Sequence, residues 1–279
     1  MEVQSIGYRM ARTLPLAFMA WSLLALPGCA QKERLTTPAP ASQRDAGPEI
    51  QEQALHLLRR MSDTLAAAGS FTYSSHSAVE VPGRKGRLLT FFSRAEVAVE
   101  RPNKLRVDIT GDVPNFQVVY DGTQLSVYDP VKNLYAVSEA PPSIDGAIRL
   151  LLETSKGAFP AANVVFGNPY AAMTEGLHSA FVVGTSRIDG LRCQHLAFMK
   201  PGVDWELWID TGPHPLPRRL AVTYHGVAHS PRLLAEFSDW NLHPSLGAEW
   251  FAVREPPGAR RIDFTAQIRQ DFAQSEGKD

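Results

Sequence analysis

Residues 88–111 read LLTFFSRAEVAVERPNKLRVDITG. Leu89, Phe91, Ala95, Val97 and Val99 alternate with Arg94, Glu96 and Glu100. Past Arg101-Pro102-Asn103-Lys104 the alternation resumes, with Leu105, Val107 and Ile109 set against Arg106, Asp108 and Thr110. Successive side chains of a strand point to opposite faces, so this period of two predicts consecutive strands with one buried and one wet face.

The same signature extends both ways. Upstream, Phe71, Tyr73 and Val79 begin a strand. Downstream, Phe116, Val118 and Tyr120 lead into Asp121-Gly122, a hairpin turn signal, followed by Leu125 and Val127 and then Leu134, Ala136 and Val137. Residues 141–175 break the pattern. Ser143 is placed to cap a short helix containing Ile144, Ile148, Leu151 and Leu152, and a second helical stretch covers 168–176. This insert reads as helices lying over the sheet. Strands resume with Phe181 and Val183, turn at Ile188-Asp189-Gly190, and continue through 191–199, 203–209, 220–224 and 233–237, with a last strand at 250–253. About eleven short strands with such turns predict an α+β, mainly antiparallel fold: one strongly curved sheet or open half-barrel. Before the first strand, Ile50, Ala54, Leu57, Leu58, Met61 and Leu65 recur at three- and four-residue spacing, an amphipathic helix opened by Pro48 and Glu49 and ending near Gly69. Its apolar stripe suits either the sheet or a membrane surface, the sheet being the better fit.

The first thirty residues read as an export signal. Arg9 and Arg12 precede an uncharged run, Leu14 to Leu26, too short to span ~30 Å of hydrocarbon comfortably. The run closes in Leu26-Pro27-Gly28-Cys29-Ala30, which resembles the bacterial lipobox, although Pro27 departs from the usual residue type. That resemblance implies cleavage after Gly28, acylation of Cys29 and, with Ala30 following, sorting to the outer membrane. The alternative is a plain secretory signal. Residues 30–48 are rich in Pro, Ala, Ser and Thr and read as a flexible tether of about 25 Å root-mean-square span. The expected division is therefore 1–28 signal peptide, 29–48 tether, 49–255 half-barrel and 256–279 C-terminal tail.

The chemistry is sparse. A net charge of −1 argues against nucleic-acid binding, and two cysteines exclude a disulfide-dense scaffold. If Cys29 carries lipid, Cys193 has no intrachain partner. It reads as a buried, inert thiol sharing a strand face with Leu191, Ala197 and Met199; a reactive thiol is the alternative. His195 alternates inward with Cys193 and Leu191 on that strand, but at two residues' spacing it sits ~7 Å from Cys193, too far for a nucleophile–base pair. His225 and His229 read as loop histidines rather than a metal pair. Asp204 and Glu206 read as a solvated strand face rather than paired hydrolase carboxylates. No catalytic set, metal site or cofactor motif is predicted. Trp205 shares a face with Leu207 and Ile209, which is either plain core or a concave apolar surface for an acyl chain.

Several segments together, RPNKLRVDITGD, VVYDGTQLSVYDPVKNLYA, DGLRCQHLAF, VDWELWIDTGPHPLPRRLAVTY and FSDWNL, resemble a family of uncharacterised bacterial periplasmic and lipoprotein domains. That family falls within the superfamily of the lipoprotein carriers LolA and LolB. The resemblance spans roughly residues 48–255. It implies an open antiparallel half-barrel with helices filling or lidding it and an apolar interior that takes up lipid chains. Candidate lining residues are Phe91, Val97, Val107, Phe116, Val118, Trp205 and Leu207. The expected function is a non-enzymatic lipoprotein held to the membrane by acyl groups on Cys29 and binding a lipid or other apolar ligand. The alternative is an RseB-like envelope sensor or scaffold that binds a protein partner.

Overall fold

The computed structural model describes residues 49–112, 115–155 and 160–264. The expected signal peptide, the tether and the last fifteen residues of the expected tail lie outside them. The body opens with helix α1 (Glu52–Ala67). Ala54, Leu58, Met61 and Leu65, spaced by four and three, form its buried stripe, and it is the sheet and insert that this stripe meets. The helix starts later than Pro48. Glu49–Gln51 run instead beside strand β7 (Ser179–Ile188): Gln51 N donates to Ala180 O (2.7 Å), Ala180 N donates to Glu49 O (3.0 Å), and Val182 N donates to the Gln51 Oε1 (3.0 Å). An edge strand needs partners for its outer amides, and that need overrides early helix initiation.

Strands β1 (Ser70–Pro82), β2 (Leu88–Glu100), β3 (Lys104–Gly111), β4 (Phe116–Tyr120), β5 (Gln124–Asp129) and β6 (Leu134–Glu139) form one antiparallel meander. The chain then passes through α2 (Ile144–Ser155), a 3-10 turn (Pro160–Val164) and α3 (Pro169–Thr174). A second meander follows: β7, β8 (Leu191–Lys200), β9 (Val203–Asp210), β10 (Pro217–Tyr224) and β11 (Arg232–Asn241). Antiparallel pairing of β11 with β1, His76 opposite Glu236 for example, joins the two meanders, and with a short last strand, β12 (Arg260–Arg261), they form one open curved sheet of order β12-β6-β5-β4-β3-β2-β1-β11-β10-β9-β8-β7.

The twelfth strand, β12 (Arg260–Arg261), pairs parallel with β6, so the sheet continues into the stretch expected to be a tail, and Phe264 is buried. The strand expected at 250–253 does not form. Ala248–Phe251 is a 3-10 turn held on the outer face of β3, where Arg106 donates to Trp250 O (3.4 Å). Phe251 supplies apolar cover there, beneath the Lys104 ammonium.

The inner face carries the core. Phe71, Tyr73, Val97, Val99, Leu105, Val118 and Tyr120 come from the first meander; Leu196, Phe198, Leu207, Ile209 and Leu220 come from the second. Burial of each such side chain stabilises by roughly 1.5–3 kcal/mol. One expectation is corrected here. Leu196 and Phe198 point inward on β8, opposite Leu207 and Trp205, so Cys193, His195, Ala197 and Met199 lie on the outer face, with Leu191 42% and Met199 37% exposed. The strand LRCQHLAFMK is apolar on both parities. Alternation cannot choose between its faces, and pairing with β9 does.

The Asp121-Gly122 turn forms as predicted between β4 and β5, with Gly122 at φ +105°. Asp121 Oδ1 accepts from Thr123 N (2.9 Å), Thr123 Oγ1 (2.9 Å) and Gln124 N (2.8 Å). Burial pushes this carboxyl up, but the hydrogen bonds outweigh it and hold it below its usual range. A depressed folded value means stability that is present above the unfolded value near 3.9 and lost as pH falls through the folded one. Asp121→Ala is expected to lower urea-unfolding stability by roughly 1–2 kcal/mol at neutral pH. The deficit should shrink below about pH 4; a pH-independent deficit would remove the ionised carboxylate from the account.

Candidate functional site

Where β8, β9 and β10 curve beneath α3 and the Pro160–Val164 turn, a cavity of about 170 Å³ remains, lined by Asn163, Ala172, Met173, Lys200, Val203, Trp205, Leu220, Val222 and Tyr224. The sheet wall follows from register: Trp205 lies opposite Phe198 and Val222, and Tyr224 opposite Val203. The cover follows from capping. The Asn168 side chain accepts from Ala171 N (3.0 Å), Pro169 occupies the first turn, and Met173 is thereby turned down onto the sheet. Helix α3 is fastened to α1 by Tyr170 N donating to Ser62 Oγ (2.9 Å) and by the Arg59 guanidinium 3.8 Å from the Tyr170 ring centroid.

Polar atoms are few and sit around an apolar lining, as a ligand pocket requires. Lys200 Nζ is 5.5 Å from the Trp205 ring centroid. Burial pushes the Tyr224 phenol up to about 12, so it remains a neutral hydroxyl. The Trp205 indole Nε1 is buried with no partner among the described residues. The volume is close to that of a cavity that holds one benzene, well short of a long acyl chain. A second cavity of the same size, lined by Leu57, Arg60, Gln194, Ile209, Asp210, Thr211 and Pro215, has a polar wall in which Asp210 is already bound to Arg218 (2.7 Å). It does not suit an apolar guest.

All seven candidate lining residues lie on the inner face. Val97, Val107 and Val118 stand directly opposite one another across β2, β3 and β4, with Phe116 beside Ile109 and Phe91 beside Val79. Of the seven only Trp205 forms part of the cavity wall; Leu207, one inward position further along β9, is fully buried. Lys200, Tyr224 and Asn163 carried no signal in the sequence. They come from strand ends and from the insert, and only tertiary structure brings them together.

The reactive side chains are occupied elsewhere. Cys193 Sγ lies 3.6 Å from Leu191 O, and burial, reinforced by Asp210, pushes its thiol up, away from the nucleophilic thiolate. His195 Nε2 is 2.8 Å from Glu206 and its ring stacks on Trp208 at 4.0 Å; His225 Nε2 is 2.7 Å from Asp204. These pairs lie on the outer face. Among the described residues no cluster of histidine, cysteine and carboxylates is arranged to hold a metal.

Arg101 holds the cover down. It follows β2, and its Nη2 donates to Phe166 O (3.0 Å), Val165 O (3.3 Å) and Leu65 O (3.5 Å), tying the insert to the end of α1. Burial lowers its pKa, opposed by Asp145, which in turn accepts from Gly167 N (2.8 Å). The segment RPNKLRV was visible in the sequence, but this role was not.

The fold is thus an open antiparallel half-barrel with a helical cover and an apolar pocket beneath it. The chain belongs to the family described as predicted periplasmic protein (DUF2092), which it matches over residues 54–265. Comparison with curated proteins finds no match. Similar solved structures include an uncharacterised conserved protein from Thermus thermophilus (13% identity, 76% of this chain and 99% of that one, TM-score 0.46). They also include the lipoprotein LppX of Mycobacterium tuberculosis (17% identity, 70% and 98%, TM-score 0.43) and the LolA superfamily protein NE2245 of Nitrosomonas europaea (12% identity, 72% and 97%, TM-score 0.36).

Arg101→Met is expected to lower stability by roughly 1.5–3 kcal/mol, because three carbonyls lose a charged donor. It should also speed amide exchange in α2 and α3 more than in β8–β10. Uniform loss of protection across the body would mean that Arg101 is not specific to the cover.

Proposed function

We propose that this protein is a membrane-tethered, non-enzymatic envelope lipoprotein that binds an apolar ligand of the lipid class beneath its helical cover. The carrying observation is the pocket between β8–β10 and α3, apolar in its walls with Lys200, Tyr224 and Trp205 Nε1 as its few polar groups. The half-barrel supplies the concave face, and the family's predicted periplasmic location fits an envelope protein. Acylation of Cys29 would provide the anchor, and Ala30 after it would direct sorting to the outer membrane. A long chain would enter as the cover shifts, extending along the inner face past Leu207 toward Val97, Val107, Val118, Phe116 and Phe91. Of these, Val107, Phe116 and Phe91 are only partly buried and are available to it.

A second reading, a sensor or scaffold that binds a protein partner, draws on the outer face of β7 and β8, where Val183, Leu191 and Met199 are exposed beside the sheet edge. Its signature would be a stoichiometric crosslinked protein with an empty pocket.

Native mass spectrometry of gently extracted protein is expected to show a co-purifying lipid, and a fluorescent fatty acid should bind the purified chain. Ala172→Trp, which fills the pocket from the cover side, should weaken that binding at least about tenfold. In high salt, Cys29→Ser should release the protein from sedimenting membranes, whereas the acylated protein should remain on them. Absence of both lipid and fatty-acid binding, or unchanged binding by a folded Ala172→Trp variant, would overturn the lipid-class reading.

A further inference from the structure

One line of cross-strand neighbours runs across the second meander and into the first: Ile50, Ala180, Phe198, Trp205, Val222, Leu233, Val79, Phe91. It puts three things at one end of the sheet: the Glu49–Gln51 segment beside β7, the pocket wall, and the base of the β1–β2 hairpin. Beyond the line lie the hairpin tip at 83–87, the Pro201-Gly202 turn and the β10–β11 tip at 225–230. They form a continuous rim. His225 N donates to Gly202 O (2.9 Å), and the His229 ring lies so close to Gly86 that an added Cβ there would meet it at 3.0 Å.

The rim has a distinctive composition. Residues 81–92, VPGRKGRLLTFF, contain Arg84, Lys85 and Arg87 and no Asp or Glu; Arg94, further down β2, is paired with Glu96. Arg84, Lys85 and Arg87 are all exposed. Beside them Phe92 is 61%, Leu89 52% and Val227 45% exposed. Nearby acidic groups are largely engaged: Glu80 accepts from Arg232 N (2.8 Å), Asp204 is bound to His225, and Asp112, though exposed, accepts from Phe92 N (2.9 Å), while Glu49 is exposed at the margin. Exposed large apolar side chains next to clustered cations match a bilayer interface, where the cations meet anionic headgroups and the apolar groups enter the acyl boundary.

We propose that this rim docks on the surface of an anionic lipid bilayer. The β1–β2 tip lies on the phosphates, Leu89, Phe92 and Val227 enter the interface, and the pocket end faces the lipid. Charge complementarity between the tip cations and anionic headgroups selects this occupant. The docking goes beyond the reading above: it requires neither acylation nor a ligand in the pocket.

The test uses residues 29–279 with Cys29→Ser, so that no acyl anchor contributes, and vesicles of phosphatidylcholine alone or mixed with phosphatidylglycerol. Cosedimentation is expected only with the mixed vesicles and should fall away at high salt. Reversal of the tip charges (Arg84→Glu, Lys85→Glu, Arg87→Glu) should weaken it at least about tenfold, as should Leu89→Ser with Phe92→Ser. Arg192→Glu, near the opposite end of the sheet, should leave it unchanged. Hydrogen exchange of the unsubstituted rim should slow at 83–92 and 225–230 on vesicle addition, a readout independent of variant folding. No binding to the anionic vesicles, equal binding to neutral ones, undiminished binding after charge reversal, or protection at the 189–190 turn instead would each overturn the proposal.

Discussion

The apolar inner face shared by β1–β5 and β8–β11 cannot be left in water, and the rest of the body follows from how it is covered. An antiparallel sheet of this size buries one face and leaves the other solvated. Here α1 supplies a stripe of four fully buried residues, and the insert supplies Ile144, Ile148, Val164 and Met173. The two sources are separate in sequence, and Arg101 fastens them together through carbonyls of both. The cover fits closely over most of the sheet and leaves its apolar gap where α3 lies over β8–β10. On the proposed function a ligand would enter by displacing α3, which is held to α1 by the Tyr170–Ser62 hydrogen bond and the Arg59–Tyr170 ring contact rather than by strand pairing.

Much of this was legible in the sequence because strand periodicity is strong wherever one face is polar. Val97, Val107 and Val118 alternate with Glu96, Arg106 and Gln117, and they emerge in register on the inner face. The Asp121-Gly122 turn and the Ser143 cap were legible for a similar local reason: each satisfies backbone amides within three residues of itself.

The failures share a cause as well. In β8 both parities are apolar, so the periodicity carried no information about facing, and register with β9 made the choice. Trp250 to Val253 looked like a strand because aromatic and β-branched residues favour one, but Phe251 is buried by a tertiary contact with β3. β12 is too short to have a period. The pocket was only partly visible. Trp205 was identified from its face, whereas Lys200, Tyr224 and Asn163 are polar residues at chain reversals and in the insert, where no local pattern distinguishes a pocket residue from a solvated one.

The central claim is that the inner face beneath α3 admits an acyl chain rather than being permanently closed core. Intermolecular nuclear Overhauser effects between a carbon-labelled fatty acid and the methyl groups of the protein test it most directly. The account predicts contacts from the chain to Met173, Val203, Leu220 and Val222. Contacts confined to outer-face methyls such as Val183 and Leu234, or none at saturating fatty acid, would contradict it.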